Sequence, residues 1–173
     1  MNYSVIKKYD TSNGLGIRTS IFFTGCNFHC QGCFNKELWD FKSGKPFDEE
    51  AKNLLFEYLG DKHVKGLSVL GGEPLQQNLT ELKDLLLSVK EKYPEKDIWM
   101  WTGYYIDELS PKQKEVVGCV DRLVDGRFEI DKKTGKTSYR GSENQTIWEV
   151  IKKNEDGGIE FVADPRFVKL NKD

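Results

Sequence analysis

The sequence is poor in histidine and proline and has no long apolar run. It holds two histidines and five prolines among 173 residues. No stretch approaches the ~18 consecutive apolar residues of a transmembrane helix, and residues 1–10 lack the apolar centre of a signal peptide. We therefore expect a cytoplasmic protein with no membrane partner.

An excess of positive charge is also missing. The chain has 26 Lys and Arg against 28 Asp and Glu, a formal net charge of −2. A nucleic-acid interface needs a concentrated basic surface, so DNA and RNA are not expected as partners. A length of 173 residues with 38% hydrophobic residues is typical of one globular domain spanning residues 1–173.

Strand-like and helical patterns alternate along the chain, which is typical of an α/β fold with a largely parallel sheet. The predicted strands cover residues 17–23, 66–70, 97–101, 122–124 and 158–162. The predicted helices cover residues 48–59, a segment from Asn78 to just before Pro94, a short segment that begins at Ser110-Pro111, and residues 146–153. The tail from about residue 152 has no functional assignment.

Glycines and reactive side chains directly follow four of the predicted strands. The segments are residues 24–26, 71–73, 102–104 and 125–127. Loops at the C-terminal ends of parallel strands build the sites of barrel-like α/β folds. We expect these four segments to face one common pocket.

Three of the four cysteines lie within eight residues, in the order Cys26-x3-Cys30-x2-Cys33. This cluster is too compact to be a disulfide framework, which links distant segments. Three thiolates from one loop suit a [4Fe–4S] cluster and leave its fourth iron open. The amino and carboxylate groups of S-adenosylmethionine (SAM) can occupy such an iron.

Two other interpretations of the cysteines stay open at this stage. Cys30 and Cys33 are compatible with half of a zinc site that His29 or His63 and Cys119 would complete. They are also compatible with a redox-active pair of the CxxC type. Cys119 lies in an apolar run and is more simply explained as a buried free cysteine.

The segment Gly71-Gly72-Glu73-Pro74 is the second chemical motif. Paired glycines after a strand let a ligand approach the backbone closely, and the Glu73 carboxylate suits the ammonium group of SAM. Valine at Gly72 is therefore expected to block SAM without disturbing the thiolates. The alternative is an ordinary turn, because both dipeptides are common in loops.

Six stretches together resemble one known group of proteins. They are residues 13–18, 24–35, 71–75, 98–104, 123–128 and 140–145. With them the chain resembles the radical SAM superfamily and, within it, the activating proteins of anaerobic ribonucleoside-triphosphate reductases. The motif-bearing part covers about residues 13–145.

The resemblance implies a fold, an activity and partners. The implied fold is an abbreviated, open radical SAM partial (β/α) barrel with mostly parallel strands. Such proteins use SAM and a reduced [4Fe–4S] cluster to take a hydrogen atom from a glycine of the large reductase subunit, which leaves a glycyl radical. A flavodoxin-type protein supplies the electron. An activase of another glycyl-radical enzyme, of the formate-lyase type, and a non-catalytic zinc-binding interaction module remain the alternatives.

The resemblance also assigns residues. The metal ligands are Cys26, Cys30 and Cys33, and the residues expected at the cofactor are Gly32, Cys33, Phe34, Gly71, Gly72 and Glu73. Most of the superfamily has an aromatic residue where this chain has Gly32. Arg18, Arg127 and Arg140 are expected either to pair with the SAM carboxylate or the partner, or to be solvated surface charges.

Overall fold

A computed structural model describes residues 1–133, 135–152 and 158–168 of the chain. Its strands are β1 (Asn2–Asp10), β2 (Arg18–Phe23), β3 (Lys45–Pro46), β4 (Gly66–Gly71), β5 (Asp97–Trp101), β6 (Arg122–Asp125), β7 (Thr146–Lys152) and β8 (Ile159–Ala163). Its α-helices are α1 (Glu49–Leu59), α2 (Leu79–Lys92) and α3 (Pro111–Val117). Single 3-10 turns are formed by Lys36–Leu38, Pro74–Gln76, Ile106–Glu108 and Ile130–Lys132.

The strands form one mixed sheet in the order β3-β1-β2-β4-β5-β6-β7-β8. The four central strands, β2, β4, β5 and β6, are parallel, and the chain between them carries α1, α2 and α3 in turn. Both flanks are antiparallel. The predicted α/β class is confirmed, with parallel pairing confined to the centre of the sheet.

Local capping signals explain where the three helices begin. The side chains of Asp48, Asn78 and Ser110 each accept a hydrogen bond from a backbone N–H in the first turn of α1, α2 and α3. Pro111 occupies the first position of α3, where it loses no helical hydrogen bond. Within the described residues, none of these helices combines the length and apolar content needed to cross a bilayer.

The two faces of the sheet bury different side chains. The helices cover one face, where a large apolar cluster includes Leu55, Leu86 and Val117 together with sheet residues such as Val69 and Met100. The other face has a much smaller apolar cluster around Trp99. The helices therefore pack on one face of the sheet, and the opposite face carries polar contacts and the site.

Arg18 is fully buried on that second face and serves the fold. Its Nη1 donates to Asp97 Oδ1 at 2.8 Å, and its Nε donates to Ser68 Oγ at 2.7 Å. Ser68 Oγ in turn donates to Asn13 O at 2.6 Å. Arg18 is therefore neither a surface charge nor a SAM contact, and it ties β2, β4 and β5 to the segment before β2.

Two sequence expectations need correction. Residues 146–152 form strand β7 rather than the predicted helix, and Lys153 lies outside the described residues. Ile147 pairs with Val124 of β6, and the β-branched residues of this segment suit an extended chain. Strand β1 was not predicted, because it is rich in lysine and mostly exposed on its outer side.

Candidate functional site

A cavity of about 560 Å³ opens at the C-terminal ends of the parallel strands. This volume lies within the ~300–1,000 Å³ range of small-molecule sites. All four segments that the sequence singled out contribute to its wall, through Cys26, Gly71, Gly72, Glu73, Thr102, Gly103 and Gly126. The expectation that these segments share one pocket is confirmed.

Three free cysteines stand in one loop at this cavity, here called the cysteine loop (residues 26–33). Cys26 is buried, whereas Cys30 and Cys33 are half-buried. The Cys26 N–H donates to Trp39 O at 3.0 Å, and the Cys33 N–H donates to Cys30 O at 3.1 Å. All three cysteines of the loop line the same cavity.

The surroundings of the sulfur atoms suit metal ligands. Burial raises the pKa of the Cys26 and Cys30 thiols, so a thiolate at either position would need a nearby cation to stabilise its charge. The backbone N–H of Phe128 donates to Cys30 and opposes the rise in pKa. The backbone N–H of Asn35 donates to Cys33 Sγ at 3.4 Å. Such N–H···S bonds tune iron–sulfur clusters, so these residues fit a cluster.

The two glycines at the end of β4 pack against the backbone of the neighbouring strand. Gly71 has φ +127, and a Cβ there would lie 2.1 Å from Phe23 O. A Cβ at Gly72 would lie 2.4 Å from Gly25 O, to which the Glu73 N–H donates at 2.8 Å. The glycines therefore bring the Gly-Gly-Glu motif against the start of the cysteine loop, which the sequence spacing did not reveal.

Glu73 is a buried carboxylate with an ordered set of donors. Its Oε1 accepts hydrogen bonds from Leu75 N at 3.0 Å and from Thr102 Oγ1 at 2.7 Å, and its Oε2 accepts one from Gly103 N at 2.7 Å. Burial nevertheless raises the pKa of Glu73 to about 7. A carboxylate offers about four acceptor positions, so one remains for a ligand in the cavity.

The other two residues expected at the cofactor differ in placement. Phe34 lines the cavity with its ring 58% exposed, and its centroid lies 4.9 Å from that of Phe128. Gly32 is not among the lining residues, and a Cβ there would lie 2.2 Å from Ile130 Cδ1. Ile130 therefore occupies the space that a side chain at Gly32 would need.

Arg127 and Arg140 occupy different settings. Arg127 forms a two-pronged ion pair with Glu108, at 2.9 and 2.8 Å. Arg140 lines the cavity and donates from Nη1 to Gln145 O at 3.1 Å. Its Nε is buried without a hydrogen-bond partner among the described residues. Of the three arginines that the sequence singled out, Arg140 is the one on the cavity wall.

Two residues of the zinc interpretation, His63 and Cys119, lie apart from the cysteine loop, whereas His29 is part of the loop and stacks on Trp39 with ring centroids 4.3 Å apart. His63 is exposed and contacts Asp61 through Nδ1 at 3.1 Å. Cys119 is buried in the apolar core, where its Sγ donates to Glu115 O at 3.5 Å. In the described parts of the chain, no three His, Cys, Asp or Glu side chains are grouped around one ion position, and this includes the three cysteines of the loop. A [4Fe–4S] cluster does not need such a grouping, because each cysteine would hold a different iron.

The CxxC interpretation expects the pair at the start of a helix, where the helix dipole activates a thiolate. Cys30 and Cys33 lie instead in a turn, and the 3-10 turn Lys36–Leu38 is the next element. The geometry therefore favours the three cysteines acting as one set over an isolated redox pair.

Comparison with known proteins agrees with this site. The family model of a 4Fe-4S single cluster domain matches residues 12–148. Anaerobic ribonucleoside-triphosphate reductase-activating proteins are 40% identical to the chain. The protein of Enterobacteria phage T4 matches over 149 residues, which cover 86% of this chain and 94% of that protein. The protein of Escherichia coli K12 matches over 150 residues, covering 85% and 97%.

A third relative, from Pasteurella multocida, is 40% identical over 153 residues, which cover 86% of this chain and 97% of that protein. These matches extend over nearly the whole length of the relatives, and the range of the family model, residues 12–148, contains the cysteine loop and the Gly-Gly-Glu motif. The chain therefore belongs to the family of anaerobic ribonucleoside-triphosphate reductase-activating proteins and carries a 4Fe-4S single cluster domain.

Proposed function

We propose that the protein is a radical SAM enzyme that generates a glycyl radical on an anaerobic ribonucleoside-triphosphate reductase. The observation that supports it best is the shared cavity. Strands β2 and β4 are neighbours, and the cysteine loop and the Gly-Gly-Glu motif follow their adjacent ends. On this proposal the four parallel strands form the core of an abbreviated, partial (β/α) barrel.

The three cysteines have the first role. Cys26, Cys30 and Cys33 each bind one iron of a [4Fe–4S] cluster as thiolates, which leaves one iron for the amino and carboxylate groups of SAM. A reduced cluster would supply one electron to break the SAM C5′–S bond, which releases methionine and a 5′-deoxyadenosyl radical; this radical would take a hydrogen atom from the reductase glycine and become 5′-deoxyadenosine. A flavodoxin-type protein is the proposed electron donor.

The cavity wall holds SAM. Glu73 accepts a hydrogen bond from an N–H of the SAM amino group, and the Gly71–Gly72 backbone lies beside it without a Cβ between. Arg140 lines the cavity, and its guanidinium pairs with the SAM carboxylate. Phe34 packs at the mouth of the cavity.

SAM binding is expected to weaken as the pH falls below about 7. Burial holds the pKa of Glu73 near 7 in the protein without SAM, and the ionised carboxylate accepts a much stronger hydrogen bond from the SAM amino group than the protonated carboxyl does. The dissociation constant should therefore rise by up to about tenfold per pH unit on the acidic side. Calorimetric titration of the reconstituted protein between pH 6 and 8 measures this dependence.

Two variants make the assignment specific. Glu73→Gln should bind SAM weakly, with little change across the same pH range. Glu115→Gln removes an exposed carboxyl far from the cavity and should keep the wild-type profile. A Glu73→Gln variant with the wild-type affinity and pH profile would show that a group other than Glu73 binds the amino group of SAM.

Glu73 also links folding to pH. Its pKa in the folded protein is about 7, above the ordinary value of 4.5. Protonation therefore favours the folded state, so this contribution is complete below about pH 4.5 and is lost as the pH rises through 7. Glu73→Gln should remove this part of the pH dependence of unfolding, which urea titration measures.

The open cavity suits a macromolecular substrate. A 5′-deoxyadenosyl radical needs protection from water, and Phe34 at the mouth is 58% exposed to solvent. We propose that the glycine segment of the reductase enters the cavity and covers it. SAM cleavage without the reductase should then be slow and uncoupled.

The test counts 5′-deoxyadenosine by chromatography and organic radical spins by EPR, with and without the reductase. Adding the reductase should raise the number of spins per SAM cleaved. The same assay with a formate-lyase-type enzyme tests the other activase alternative. Rapid, tightly coupled turnover on a free small molecule would contradict the proposal.

A further inference from the structure

The segment after β6, residues 126–130, lies across the cysteine loop. The Phe128 ring packs on Phe34, with centroids 4.9 Å apart. Ile130 Cδ1 occupies the space next to Gly32, only 2.2 Å from where a Cβ of that residue would be. Gly32 in the loop and Phe34, which directly follows the loop, are thus covered by side chains that come from a distant part of the chain.

Arg127 joins this segment to the loop and to the sheet. Its guanidinium carbon lies 4.9 Å from the centroid of Phe28, which sits between the first two cysteines. The same guanidinium makes the two-pronged ion pair with Glu108 and donates to Gly103 O at 3.4 Å. One side chain therefore contacts the cysteine loop, the end of β5 and the turn that follows it.

The segment is itself anchored from behind. Asn144 Nδ2 donates to Arg127 O at 2.7 Å, and Gln145 Nε2 donates to Gly126 O at 2.8 Å. The fully buried Ser142 accepts from the Glu129 N–H at 3.1 Å. These bonds connect the segment to the residues just before β7, so it provides a fixed surface for the loop.

The cysteine loop needs such a surface. His29 and Gly32 have φ values of +49 and +74, and the loop contains no helix or strand. Irregular segments with few backbone hydrogen bonds open easily, whereas metal ligands must be held in place by surrounding contacts.

We propose that residues 126–130 are a clamp on the cysteine loop and that Arg127 is its positioning residue, through its contacts with Phe28 and Glu108. The role of the loop as cluster ligand rests on the proposed function. The clamp itself is a property of the protein without cluster and can be tested there.

The test is cysteine alkylation of the cluster-free, reduced protein under anaerobic conditions, followed for each cysteine by mass spectrometry. In Arg127→Ala the rate at buried Cys26 should rise roughly tenfold, because the loop opens more often. Arg127→Lys keeps the charge but loses the planar fork, so it should lie between Arg127→Ala and the wild type. Buried Cys119, distant from the clamp, should react at the wild-type rate in both variants.

Arg166→Ala is the matched control. Arg166 also pairs with a carboxylate, that of Asp164, and lies 5.4 Å from the ring of Phe167, but it does not touch the cysteine loop. It should leave all four alkylation rates unchanged. Equal Cys26 rates in Arg127→Ala and wild type would overturn the proposal, and so would an equal rise at Cys119, which indicates general unfolding.

Reconstitution separates this proposal from the function. If the clamp holds the loop, Arg127→Ala should lose iron to a chelator several-fold faster than wild type and Arg166→Ala. Iron loss at the wild-type rate would contradict the clamp. A wild-type protein that takes up no cluster would instead contradict the proposed function, while the alkylation result would still decide the clamp.

Discussion

Replacing Cys26, Cys30 or Cys33 with alanine is expected to remove the stable cluster and reduce glycyl-radical formation to background. In the proposed site each thiolate would hold a different iron, so losing one would leave two irons without a protein ligand and make the cluster labile. Iron content after anaerobic reconstitution should fall from about four atoms per chain to fewer than about one. Metal analysis and EPR of the reduced protein measure the change.

Cys119→Ala is the internal control for these variants. Cys119 is buried in the apolar core next to α3. Its removal should cost about 1 kcal/mol of folding free energy through the small cavity it leaves, with iron content unchanged. A complete, SAM-responsive cluster in Cys30→Ala, or a lost cluster in Cys119→Ala, would contradict the assignment of ligands.

Gly72→Val is expected to lose both SAM binding and much of the cluster. From the sequence alone, this substitution should affect only SAM. In the structure, however, a Cβ at Gly72 would lie 2.4 Å from Gly25 O and 2.9 Å from Leu38 O. These are backbone atoms, so the residues that lead into Cys26 must move. Overpacking of this kind costs roughly 1–3 kcal/mol of folding free energy.

Iron content, the EPR response to SAM and urea unfolding together measure this outcome. Gly135→Val is the matched control, because nothing lies within 4 Å of a Cβ at Gly135. It should resemble the wild type in all three measurements. A Gly72→Val protein with a full cluster and no SAM response would restore the simpler expectation from the sequence.

Local signals allowed most of the central fold to be predicted. The capping side chains of Asp48, Asn78 and Ser110 and the apolar spacing behind them mark the three helices, and the structure confirms them. The error over residues 146–152 has a physical cause, because the partner strand β6 decides that segment. Short amphipathic segments of this kind depend on tertiary contacts.

The chemical groups of the candidate site could be predicted from the sequence, but most of the contacts that hold the cysteine loop in place could not. Parallel strands bring their C-terminal ends to one edge, so the four motif segments were expected to meet, and they do. The contact of Ile130 with Gly32 and the cation–π contact of Arg127 with Phe28 join residues far apart in sequence. No local pattern marks such contacts, so they could not be predicted from the sequence.

The most direct test of the central claim follows the hydrogen atom. The reductase is prepared with deuterated glycine and incubated with the reconstituted activating protein, SAM and reductant. Mass spectrometry then measures deuterium in 5′-deoxyadenosine, and EPR counts the glycyl radicals. We predict about one deuterium in 5′-deoxyadenosine for each radical formed. Glycyl radicals that appear without deuterium transfer would contradict the account.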